Sequence, residues 1–141
     1  MDQESIVYGC IKHAAYLRDK TDHRQTNRQA LLSLPAANEW PLISREMFSI
    51  PTLAPTSGQY QTEVLHFGAS YKAIEYEWNQ WIADFESLLR GMYWVSATVH
   101  LETELSGTHT FTWNALADNH QPGSEEMQIH CEWSQETALG F

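Results

Sequence analysis

The stretch from Tyr71 to Gly91, YKAIEYEWNQWIADFESLLRG, constrains the fold more than any other part of the chain. Ile74, Trp78, Trp81, Ile82, Phe85, Leu88 and Leu89 recur at the spacing of one apolar stripe on a 3.6-residue helix. The pattern predicts a helix over 71–90, roughly 30 Å long at about 1.5 Å per residue. Ser70 is placed to cap its start, and Glu75 and Glu77 suit the positive end of its dipole. Arg90 suits the negative end, and Gly91 can close the last turn in a left-handed conformation. Two tryptophans and a phenylalanine on one stripe require a broad apolar surface to cover them.

Strand patterns supply that surface. Ser5–His13 (SIVYGCIKH) is β-branched and aromatic, with apolar residues on both faces, as expected of a strand inside a sheet. Tyr60–Phe67 alternates, with Gly68 placed to turn into the long helix. Val95, Ala97, Val99 and Leu101 alternate with Ser96, Thr98, His100 and Glu102, the clearest β signal in the chain. The chain returns through Phe111 and Trp113. A two-residue loop at Ser106–Gly107 would put the apolar residues of these two strands on opposite faces. A three-residue loop of 106–108, pairing Leu101 with Trp113 and Thr103 with Phe111, puts them on one face and is expected, with Gly107 left-handed. After a turn over Asp118–Ser124, Met127, Ile129, Cys131 and Trp133 alternate with Gln128, His130 and Glu132 as a last strand, and the tail from Gln135 should fray.

A shorter helix is expected over about 24–34, capped by Thr21 or Asp22, with Ala30, Leu31 and Leu34 inward and Pro35 ending it. Its basic residues, Arg24 and Arg28, with Lys12, Arg18 and Lys20, read as a solvated face rather than an anion site. Pro35, Pro41, Pro51 and Pro55 break up the following segment. Glu46–Ile50 is a possible short strand there, and Trp40 a natural anchor against the core. Together these elements predict one α+β domain over residues 1–141. It has two layers: an antiparallel sheet of about five strands, with the helices 71–90 and 24–34 packed on it.

Charge narrows the partners. Residues 1–72 hold seven acids and seven Lys/Arg, whereas residues 73–141 hold eleven acids and only Arg90, which accounts for the net −10. Such a field repels phosphate backbones and anionic membranes and attracts a basic protein. No apolar run approaches the ~20 residues of a membrane span. MDQES shows no basic region leading into an apolar core, so a cytoplasmic location is expected. Cys10 and Cys131, on two predicted strands, are expected as reduced, buried thiols.

The sequence carries no phosphate-binding loop, no G-x-S-x-G elbow and no H-E-x-x-H, and no cofactor is expected. His66, between Leu65 and Phe67, reads as a core histidine. The one candidate metal set is the repeated H-x-E of His100 and Glu102 with His130 and Glu132, which would converge if their strands were neighbours. The simpler account of these residues is a solvated sheet face. In size, acidity and α+β character the chain resembles the immunity proteins that bacteria make against their own toxins. That resemblance implies an inhibitor with no catalytic residues of its own, which occupies the cationic surface of a basic partner. Glu102, Glu104, Glu132, Asp84 and Glu86 are the expected contacts, with Trp94 as an aromatic anchor.

Overall fold

The structure, a computed structural model, describes residues 4–13, 20–49, 63–115, 120–123 and 132–136. Strands β1 (Glu4–His13), β2 (Glu63–Lys72), β3 (Ser96–Thr103), β4 (Gly107–Asn114) and β5 (Glu132–Glu136) form an antiparallel sheet in the order β2-β1-β3-β4-β5. The first strand is interior, as its apolar residues require. Two helices accompany the sheet, α1 (Lys20–Leu32) and α2 (Trp78–Arg90). Among the described residues, no helix is long and apolar enough to cross a membrane.

One face of the sheet carries the core. Val7, Ile11, Leu65, Phe67, Ala97, Val99, Leu101 and Trp113 are buried there. Helix α2 lies over them. Phe85 packs its ring 5.4 Å from Phe67 on β2 and 5.2 Å from Trp113 on β4, and Trp78 lies 5.2 Å from Phe111. Trp81, Leu88 and Leu89 complete the buried stripe. Helix α1 adds Leu31 to the same core, and Asn27 clamps the chain after α2. Its amide donates to the Tyr93 carbonyl at 2.9 Å and accepts the Tyr93 N–H at 2.7 Å. Phe48 packs on Phe67 (5.1 Å), and Ser49 N–H donates to His66 O, so the segment before residue 50 lies along the edge of β2.

Several expectations are corrected. Helix α2 begins at Trp78 rather than residue 71, because Tyr71 and Lys72 belong to β2, paired opposite Ser5 and Glu4. Gly68 lies inside the strand opposite Tyr8, and Ser70 is a strand residue whose hydroxyl donates to Glu4. The turn comes at Ala73, which adopts a left-handed conformation (φ 51°, ψ 46°), and a 3₁₀ turn, Ile74–Glu77, leads into the helix. Gly91 is not left-handed (φ −93°); its N–H closes the helix onto Leu88 O and Leu89 O. Helix α1 starts at Lys20, so Thr21 and Asp22 lie within it rather than before it. Arg24 is buried, at 5% exposure, rather than on a solvated face. Arg45–Met47 forms a 3₁₀ turn where a strand was expected, Phe48 makes an isolated bridge to Phe67, and Ile50 lies outside the described residues. Trp40 is 91% exposed, and its left-handed backbone (φ 58°) turns it away from the core it was expected to anchor. His66 is exposed, since it falls on the face opposite Leu65 and Phe67.

The β3–β4 hairpin keeps the expected facing, but its pairing slides by four residues and its turn moves back by two. Thr103 pairs with Gly107, Leu101 with His109 and Ala97 with Trp113, which leaves a three-residue turn of 104–106. A slide by an even number of residues preserves which side chains share a face. Gly107 is left-handed as expected (φ 80°). Strand β5 runs on to Glu136, so Gln135 is paired rather than frayed. Residues 60–62 and 127–131, and residues 118, 119 and 124 of the expected turn, lie outside the described residues.

Candidate functional site

The expected acidic surface does not form as one patch. Glu102 lies on the sheet face away from α2, where its carboxylate accepts the Tyr8 hydroxyl at 2.9 Å. Glu104 is exposed in the adjoining turn. Asp84 and Glu86 belong to the helical layer. Asp84 accepts from Gln80 Nε2 (2.8 Å), and Glu86 accepts the buried Trp113 Nε1–H (3.1 Å). Trp94 is no surface anchor: it is 1% exposed, stacks on His120 and donates Nε1–H to Leu89 O at 2.8 Å. Of the expected contacts whose side chains are described, Glu102 and Glu104 are neighbours at the β3–β4 turn.

The metal alternative also fails on topology. Strand β4 separates β3 from β5, and Glu132 is registered opposite Thr112, not beside His100. Two strand spacings and a two-residue offset put the Cα atoms of His100 and Glu132 roughly 12 Å apart. His100 Nδ1 is hydrogen-bonded to Thr110 Oγ1 (2.9 Å), with its ring 4.9 Å from Tyr8. His130 lies outside the described residues. Among the described residues no group of three or more His, Cys, Asp or Glu side chains is placed to hold a metal. Cys10 is a free, half-buried thiol on the Glu102 face; Cys131 lies outside the described residues.

A different set of residues converges at the end of the sheet where β1 and β4 begin and β2 and β3 end. Glu4, Glu102 and Glu104 come from strand ends and the hairpin turn, and Glu75 and Glu77 from the 3₁₀ turn. Among these strand ends and turns the only lysine or arginine is Lys72. Exposed large apolar side chains gather at the same end. Tyr76 (77% exposed) sits between Glu75 and Glu77, and Leu105 (76%) occupies the hairpin turn. Ile6 lies opposite Glu102, and Tyr8 donates its hydroxyl to it. The Leu42 carbonyl accepts the Tyr71 hydroxyl at 2.5 Å, which ties the loop holding Leu42 to this end.

Two hollows open here on either side of the 3₁₀ turn, and Glu75 and Trp78 line both. One, about 580 Å³, runs past Leu42, Tyr76, Glu77 and Gln80. The other, about 340 Å³, lies between the turn and the hairpin. Its walls are Trp78, Phe111 and Leu101, and its rim is a chain of polar contacts. Ser106 N–H donates to Thr103 Oγ1 (2.9 Å), the two hydroxyls lie 2.6 Å apart, and Ser106 Oγ is 2.8 Å from His109 Nε2. Trp81 is wholly buried and stacks on Trp78 at 4.8 Å, so Trp78 alone of the pair reaches this surface.

In sequence Glu75 suits the start of a helix dipole and Trp78 a core position, because the pattern predicts a helix from residue 71. Tyr76 was the available signal: a large aromatic off the stripe, between two glutamates. Compared with protein-family models, curated proteins and solved structures, the chain finds no match, so this site is read from its own residues.

Proposed function

We propose that this chain is a small acidic binding protein, an inhibitor of the immunity-protein kind, that neutralises a basic partner such as a bacterial toxin in the cytoplasm. The observation that carries the reading is the coincidence, at one end of the sheet, of Glu4, Glu75, Glu77, Glu102 and Glu104 with exposed Tyr76 and Leu105. Carboxylates alone would serve solubility. Large side chains left in water beside them add the apolar anchors that interface energetics depend on. The negative potential speeds encounter with a cationic surface, and the anchors slow departure. The contact surface is therefore redrawn from the sequence expectation: Glu102 and Glu104 stay, and Glu75, Glu77, Tyr76 and Leu105 replace Asp84, Glu86, Glu132 and Trp94.

The test is complex formation with the basic proteins encoded beside this one, measured by calorimetry for the native chain and for Glu102→Lys/Glu104→Lys. The reading predicts one tight partner and a loss of about a hundredfold or more in affinity on reversal of two interface charges. A partner bound equally well by both forms would refute the surface.

A further inference from the structure

Resting on that reading, we infer that the 340 Å³ hollow between the 3₁₀ turn and the β3–β4 hairpin is a receptor for one arginine side chain of the partner. Its chemistry is that of a cation site with an apolar throat. Trp78 and Phe111, 5.2 Å apart and tilted 45°, offer aromatic surface on which a guanidinium stacks, and Leu101 offers a wall for its methylene stem. Glu75 supplies the charge. Its carboxylate is half-buried and accepts the hydroxyl of fully buried Ser5 at 2.9 Å, which fixes it in place. Among the described residues no lysine or arginine pairs with it. A partly desolvated carboxylate held without a counter-charge gains most from a cation that arrives with its own hydrogen-bond donors.

The rim selects the shape of that cation. Besides Glu75, the lining holds the hydroxyl oxygens of Thr103 and Ser106, the latter hydrogen-bonded to His109, so acceptors come from more than one group. A planar guanidinium with five N–H donors can address several, whereas an ammonium acts from a single point. An anion is disfavoured by Glu75, with Glu77 two residues on in the same 3₁₀ turn.

The test uses N-acetyl-arginine methylamide as probe, titrated into the intact chain labelled with ¹⁵N, with the indole N–H resonances read by NMR. The neutral citrulline analogue and the lysine analogue are titrated in parallel. The expected result is a saturable shift centred on the Trp78 indole. It should be at least about tenfold weaker for citrulline and about threefold weaker for lysine. Glu75→Gln keeps an acceptor for Ser5 and should weaken the arginine probe about tenfold or more. Equal binding of citrulline, a Glu75→Gln variant that binds like the native chain, or shifts centred on another tryptophan would overturn the assignment. Lysine binding as tight as arginine would overturn the guanidinium in particular. Glu102 and Glu104 do not line this hollow. Charge reversal there therefore tests the acidic surface independently, and either result can fail while the other stands.

Discussion

Replacing Gly9 by alanine tests the packing of the sheet at its tightest point. A Cβ on Gly9 would lie 2.0 Å from the Thr98 carbonyl oxygen, 3.0 Å from its carbon and 2.9 Å from Phe67 Cζ. The Phe67 ring end can give a little, but the Thr98 carbonyl is backbone of β3, the strand paired to β1. Restoring an ordinary contact needs a displacement of more than about 1 Å, which would carry neighbouring ladder bonds past hydrogen-bonding distance. Overpacking of about 1–3 kcal/mol, added to the loss of about two backbone bonds, gives a destabilisation of roughly 3–5 kcal/mol. For a domain of this size that is a fall in Tm of roughly 10–15 °C. Urea unfolding followed by tryptophan fluorescence, with a thermal melt, measures it. Gly68→Ala is the internal control, since its Cβ would meet Tyr8 Cβ at an ordinary 3.5 Å and should cost less than about 1 kcal/mol. A Gly9→Ala variant as stable as the control would refute the close approach of β1 and β3.

Other perturbations reach the remaining elements. Gly91→Ala should be neutral or stabilising by up to about 1 kcal/mol in a urea melt. Its φ of −93° suits alanine, and the new Cβ would lie 3.7 Å from Leu88 O. Asn27→Ala should cost about 2–3 kcal/mol in the same assay, because both backbone groups of Tyr93 lose their partner. Burial holds the Tyr71 phenol above its ordinary pKa of 10.0, a shift only partly offset by the hydrogen bond from Trp81 Nε1. The phenol is neutral in both states below pH 10. Above it the unfolded chain releases this proton first, so stability falls as pH rises through the folded value. Thermal melts between pH 9 and 12 should show that fall in the native chain and a shallower one in Tyr71→Phe.

The fold was legible wherever burial imposes a period. Alternation over Val95–Leu101 marks β3, the mixed apolar character of Ser5–His13 marks an interior strand, and Trp81, Phe85, Leu88 and Leu89 mark the buried stripe of α2. What stayed hidden depends on contacts distant in the chain. Gly68 resembles a turn residue, yet pairing with Tyr8 carries β2 on to Lys72, and the turn falls at Ala73, which no local signal flags. Parity settled the facing of the β3–β4 hairpin but not its slide, because registers an even number of residues apart, here four, bury the same side chains. Trp40 and Trp94 exchanged their expected roles, since composition shows an aromatic residue but not what surrounds it. The candidate site was the least legible part. Glu75, Trp78, Leu101 and Ser106 come from three elements, and only the long pairing of β1 with β2 draws the 3₁₀ turn up to the hairpin.

The most direct measurement is the association rate with the basic partner by stopped-flow fluorescence, at low and at physiological salt, for two charge-reversed variants. If the end of the sheet around the 3₁₀ turn is the docking surface, Glu102→Lys/Glu104→Lys slows association about tenfold or more at low salt, and Asp84→Lys/Glu86→Lys slows it less than about threefold. Equal slowing by both pairs would show that the partner senses only the net charge of the chain. The localised surface would then be wrong.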